Sequence, residues 1–258
     1  MTLRISTGLS NFITGIGSLK QGLNGGRMEI YGGAAQPASA DLAVTGTLLA
    51  TLTNNSGALT NEVLASATIN ITGASGSITA VTVNGVEIMG GAVAYLTSPT
   101  VTAALVAAQI NNNQSPVEYF ATSSGAIVTI TALPGTGVNP NAFTFTVTST
   151  LTNTASTTMT GGVAGVNGLK YSAPSAGVIA TLPGQVWSGV NVASGTAYWF
   201  RIYGSVADVG AQDTNFIYNR MDGAVASVGA EMNAGTSTNF AAGATTSITS
   251  WSAQLPTS

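Results

Sequence analysis

Histidine and cysteine are absent from this chain, and charge is scarce: six basic and nine acidic residues make up 6% of 258. An ordinary soluble domain carries roughly 25%. Without histidine or cysteine there is no Ser-His-Asp triad, no thiolate nucleophile, no His or Cys metal site and no haem ligand. Disulfides are excluded too, although that leaves the compartment open. The basic residues Arg4, Lys20, Arg27, Lys170, Arg201 and Arg220 stand singly in the sequence. Nucleic acid, which wants clustered Lys and Arg, is therefore not an expected partner. No apolar run approaches the ~20 residues of a spanning helix. The start, Met1 to Ser6, lacks an apolar stretch behind a basic residue, so neither a membrane anchor nor a signal peptide is expected.

What is present is a hydrophobic content of 45% with a mean hydropathy of +0.36 and a net charge of −3. That is enough apolar material for real cores and argues against disorder. The exterior has little charge to cover it. It is either a hydrated Ser/Thr/Asn surface or one covered by other subunits.

Leu9, Phe12, Ile13, Ile16, Leu19 and Leu23 recur at helical spacing over 7–23, and Asn24-Gly25-Gly26 ends the stripe. Phe12, Ile13 and Ile16 are expected to seal a β domain. Residues 27–31 and 45–53 read as strands. Runs at 67–72, 78–83 and 86–89 follow, the last two joined by Asn84-Gly85, the strongest short hairpin signal. Ser98-Pro99 opens a helix to Asn113 whose apolar side is read as Val101, Leu105, Ala108 and Ile110. Residues 118–122, 126–132 and 143–148 read as strands, and 148–160 as a linker or a poorly packed strand. From Asn167 short strands with Gly-rich turns resume, among them 197–203, 216–219, 231–232 and 247–255.

The fold class expected is mainly β. Residues 1–60 with 161–258 would form a β-sandwich or barrel-like domain, and 61–160 an inserted small α+β module. Two or three domains in series is the competing organisation.

With this composition a catalytic site would rest on carboxylates. Asp208, Asp213 and Asp222 lie near one another in sequence, as a glycosidase pair or a hard-cation site would require, but their spacing matches neither pattern. No metal or cofactor is expected. On a strand, Trp199, Arg201 and Tyr203 face one way while Tyr198, Phe200 and Ile202 face the other. Trp199 and Tyr203 are the candidate interaction surface, either a carbohydrate platform or a packed layer.

Three stretches carry a resemblance. Residues 3–53, LRISTGLSNFITGIGSLKQGLNGGRMEIYGGAAQPASADLAVTGTLLATLT, resemble the start of a group of tailed-phage virion proteins. GQVWSGVNVASGTAYWFRIYGS, RMDGAVASVGAEMN and AGATTSITSW, with a closing LP, are similar to the remainder of that group. GSITAVTVNGVEI, TAALVAAQINN and VEYFATSSGAIVTITALPGTGVNPN resemble a small module of phage structural proteins. The resemblance implies a non-enzymatic structural protein of the virion, a capsid decoration or cement protein, with a tail or baseplate protein and a carbohydrate-binding host-recognition module as alternatives. The partners it implies are the major capsid protein or other virion proteins and copies of the chain itself. It brings no catalytic residues, and it favours the inserted layout because the flanking parts look like one unit.

Overall fold

Ser6 starts the first helix because its hydroxyl accepts from the Leu9 amide, while Asp41 accepts from the Thr7 amide at 3.0 Å. The computed structural model describes residues 3–113, 119–208, 210, 216–233 and 237–254. In chain order it has β1 (Arg4–Ile5), α1 (Thr7–Gly15), α2 (Leu19–Leu23), β2 (Arg27–Gly32) and β3 (Thr47–Asn54). Next come β4 (Ser66–Ile71), β5 (Ser77–Val83), β6 (Val86–Glu87), β7 (Val93–Ala94), α3 (Pro99–Asn111), β8 (Tyr119–Ser124), β9 (Ile127–Ala132), β10 (Phe145–Ser149) and β11 (Asn153–Ala155). The last part holds β12 (Val178–Ala180), β13 (Trp187–Val190), β14 (Gly195–Tyr203), β15 (Arg220–Ala226), β16 (Met232–Asn233), β17 (Asn239–Phe240), β18 (Thr245–Ile248) and β19 (Ser252–Gln254). The fold is mainly β, in several antiparallel sheets with a few short helices.

Backbone contacts divide the chain into two compact units, residues 1–62 with 165–258, and residues 63–164. In the first unit nine strands form a sheet of order β1-β15-β14-β2-β3-β13-β18, with β16 on β15 and β17 on β14. Among the described residues no closed barrel is formed: β1 and β18 end the order and do not pair with each other. Met28, Ile30, Leu52, Phe200, Ile202 and Met221 line one face of this sheet. They bury it with Leu9, Leu19 and Leu23 of the helices and with Ile179 and Ala253 of the β12–β19 pair. The stripe over 7–23 is two helices, not one. Gly17 breaks it, lying so close to the Phe12 ring that a Cβ there would sit 2.1 Å from a ring carbon. Phe12 is fully buried; Ile13 and Ile16 are half-buried.

The second unit has two four-stranded sheets, β10-β5-β6 with β7 on β5, and β11-β4-β9-β8, around a mostly aliphatic core that includes Val106 and Ile110 of α3. The Asn84-Gly85 turn has both residues at positive φ, 51° and 78°, and pairs Val83 with Val86. Ser98 caps α3 and Pro99 occupies its first turn. The face read as apolar is largely the wrong one. Val101, Leu105 and Ala108 are exposed, and Thr102, Ala103, Val106, Ala107 and Ile110 are buried. The helix carries no charge on any side, so periodicity had nothing to separate, and the buried Thr102 hydroxyl is satisfied by the Ser98 carbonyl at 2.9 Å. The 148–160 stretch supplies β11, paired on β4. Residues 216–219 are not a strand; β15 starts at Arg220. Glu118 and Leu255, read as strand ends, lie outside the described residues.

Candidate functional site

The register of the nine-stranded sheet lines up its charges. Arg4 stands opposite Asp222, Asp222 opposite Arg201, and Arg201 opposite Glu29, so one rung across four strands alternates plus, minus, plus, minus. Two residues along on the same face, Tyr203 lies between Arg220 and Arg27; two residues the other way, Trp199 lies between Ala224 and Tyr31. Cross-strand neighbours of opposite sign attract and like signs repel, so this order favours one register. The four arginines, single in sequence, thus meet in space, but among acids, and do not form a basic patch.

The contacts are close. Arg201 holds Asp222 with two parallel bonds, Nε to Oδ1 at 2.6 Å and Nη2 to Oδ2 at 2.7 Å. Arg220 holds Asp208 the same way at 2.6 and 2.7 Å. Arg27 Nε donates to Glu29 at 2.6 Å, and the Tyr31 hydroxyl donates to the other Glu29 oxygen. The Arg27 guanidinium sits 4.1 Å above the Tyr203 ring. Three arginines then hold one segment across this face. Arg4 donates to the Pro37 carbonyl, Arg201 to that of Leu42 at 3.0 Å, and Arg220 to that of Ala40 at 3.4 Å. Arg201, Arg220 and Asp222 are buried as a result.

Burial is the largest single influence on the titration of these groups, though not always the deciding one. It pushes the Asp222 carboxyl above its ordinary value, against the pull of Arg201, Arg220 and Arg4. On Arg201 burial acts to lower the pKa, and the bond and charge of Asp222 more than offset it, so the guanidinium stays charged. Burial raises the Tyr31 hydroxyl strongly, helped by Glu29, and raises Tyr203 and Tyr171 as well.

This geometry decides the role of the residues singled out in the sequence. Trp199 is fully buried, stacked on Tyr31 at 4.4 Å between ring centres and 11° between planes. Tyr203 is 7% exposed and covered by Arg27. Neither offers a ring face to a sugar; both belong to the packed layer. Asp208 and Asp222 are each committed to an arginine, and Asp213 lies outside the described residues. Among the described residues no three acids gather as a metal site would need, and no helix is long and apolar enough to cross a membrane.

Simple alternation missed the one aromatic on β14 that is exposed. Ala197 faces Gly32 and Trp199 faces Tyr31, so Tyr198 is an extra residue, a β-bulge, and it stands 47% exposed. Cavities of about 240 and 210 Å³ flank it, both also lined by Gly33. The sequence signal was the glycine pair Gly32-Gly33 opposite the aromatic run. At Gly32 a Cβ would meet the Thr196 carbonyl oxygen at 2.4 Å.

Of the charged residues that are described, only Glu87 and Lys170 are exposed. The outer surface instead carries apolar side chains such as Leu42, Val44, Val190, Val192 and Val228 on the first unit, and Leu96, Val101 and Leu105 on the second. No protein-family model matches the chain, and no curated protein sequence matches it.

Proposed function

We propose that this chain is a non-enzymatic structural protein of a tailed-phage virion, and specifically a capsid decoration or cement protein. The observation that carries the reading is the distribution of charge. Most ionic side chains of the first unit are spent on one another, and among the described residues the exterior shows only Glu87 and Lys170 as exposed charges and is studded with aliphatic groups. Such a surface adheres by shape and apolar contact with little dependence on salt. Repeated over a lattice, modest contacts add through multivalency. The resemblance of residues 3–53 and 184–251 to virion proteins points the same way. The partners would be the major capsid protein or other virion proteins and copies of the chain itself, with no nucleic acid, membrane or cofactor, and the protein would reside in the particle.

Mass spectrometry of purified particles tests this, followed by location of the chain in a particle image. A copy number matching the capsid lattice supports decoration, a number matching the tail rings moves the protein to the tail or baseplate, and absence from particles ends the reading. A second reading, carbohydrate binding, is favoured by Tyr198 and its flanking cavities rather than by Trp199 and Tyr203. A glycan array with Tyr198→Ala as control tests it, and binding that survives the substitution would reject it.

A further inference from the structure

The nine-stranded sheet ends unprotected on β18. Its opposite end is β1, only two residues long, whose Arg4 is tied to the Pro37 carbonyl. β18 is short, four residues, but carries no proline, no charge and no irregularity in its pairing, three of the devices that blunt a sheet edge. The ladder fixes which backbone groups it offers. Asn191 donates to the Ala244 carbonyl at 2.8 Å, and hydrogen-bonded pairs in an antiparallel ladder recur at every second residue. Gly189 therefore bonds Thr246, and Trp187 bonds Ile248. Thr245 and Ser247 turn their N–H and C=O groups outward, and among the described residues no strand but β13 pairs with β18.

A groove of about 510 Å³ accompanies this edge. Residues 246–252 line it together with Glu231, Met232, Asn239 and Phe240. Trp251, 5% exposed, is part of the lining, and its indole N–H has no hydrogen-bond partner. Among the described residues, Glu231 is the one charged side chain in the lining. Its Oε2 accepts from the Ala224 amide at 2.9 Å.

We propose that this groove takes an extended segment of another polypeptide, which adds as a strand to β18 and sets a lysine or arginine against Glu231. Outward N–H and C=O groups on alternate residues match an extended backbone and not a helix, whose backbone groups are already bonded to one another. The lone carboxylate, with no cation among the described lining residues, selects a basic side chain by charge complementarity. Met232 and Phe240 supply apolar contact for its neighbours. This goes beyond the virion reading and does not rest on it.

A random heptapeptide library selected on the full chain tests the proposal. The expected outcome is peptides rich in β-branched residues with a central Lys or Arg. Their affinity should fall about tenfold or more for Ser247→Pro and for Glu231→Gln. Ser247→Pro removes an outward donor and leaves the bonds to β13 in place, so the melting temperature should hold. If it does not, N-methylation of alternate peptide amides removes the same bonds from the other side and should abolish binding. Peptides that bind wild type and these controls equally, or no enrichment at all, would overturn the proposal. So would a dimer in sedimentation that Ser247→Pro dissociates, which would make a second copy the occupant.

Discussion

Residues 63–164 contain two charged side chains, Glu87 and Glu118, and no tryptophan; every arginine, lysine and aspartate and all three tryptophans lie in the other unit. The two units therefore specify β structure by different means. In the 63–164 unit the instruction is alternation: β4 buries Ala67, Ile69 and Ile71 and leaves Thr68 exposed, and its core is mostly aliphatic. A register slip there would turn the apolar set to water, which suffices to forbid it. Where β2, β14 and β15 lie side by side in the nine-stranded sheet, residues on both faces are largely buried, so alternation between apolar and exposed residues is no longer available there. The second face is filled with arginines, carboxylates and aromatic rings, where a slip would drive Arg201 into the apolar core. Charge does for one unit what water does for the other.

The largest expected break in this comparison is Asp222→Asn. It leaves the Arg201 guanidinium buried without its counter-charge and should cost about 3–5 kcal/mol. Because all the tryptophans report on that unit, urea unfolding followed by tryptophan fluorescence isolates the effect. A loss under about 1 kcal/mol would mean the ion pair is not holding the sheet. The counterpart is Ile130→Ala, fully buried in the 63–164 core. It should cost about 2–5 kcal/mol as a cavity, read by circular dichroism, with the tryptophan-detected transition unmoved. A shift of both transitions together would show that the units do not unfold separately.

The same contrast explains what could be read from the sequence. The mainly β class, the Asn84-Gly85 hairpin and the Ser98-Pro99 helix start were legible because each rests on neighbours in the chain. The helix face was not, since α3 is apolar all round and only its contacts select Val106 over Leu105. The alternation of 198–203 fails at Tyr198 because the bulge depends on Gly32, far away in sequence. The charge rung was invisible for the same reason: Arg4, Glu29, Arg201 and Asp222 come from four strands that only pairing brings together. Trp199 and Tyr203 were found as a notable pair, but whether such rings face solvent or a layer of arginines is decided by residues 36–42, which no local pattern connects to them.

A smaller effect comes from the buried tyrosines of the first unit. Tyr31, Tyr171 and Tyr203 are all raised, so the folded chain holds these protons after the unfolded chain has begun to lose them. Their stabilising share is complete below about pH 10, the ordinary tyrosine value, and declines as pH rises further, by up to about 1.4 kcal/mol per pH unit for each tyrosine still protonated. Alkaline titration should therefore lower the tryptophan-detected stability first. Equal loss in Tyr171→Phe would show that this ring is not among those responsible.

The smallest expected change separates stability from specification. Replacing both members of the central pair, Arg201→Met with Asp222→Leu, removes two charges that had to be desolvated along with their attraction, and such exchanges are often neutral or stabilising. The melting temperature should stay near that of the wild type, in sharp contrast to the single substitution. What should change is uniqueness. Without the alternating rung, the ordering of β14 between β2 and β15 rests on the apolar face alone, and backbone amide spectra should show more than one set of signals for residues 199–203 and 220–224. A double variant that is stable and gives a single set of signals would show that the apolar face fixes the register unaided. The charges would then serve only to hold the 36–42 segment in place.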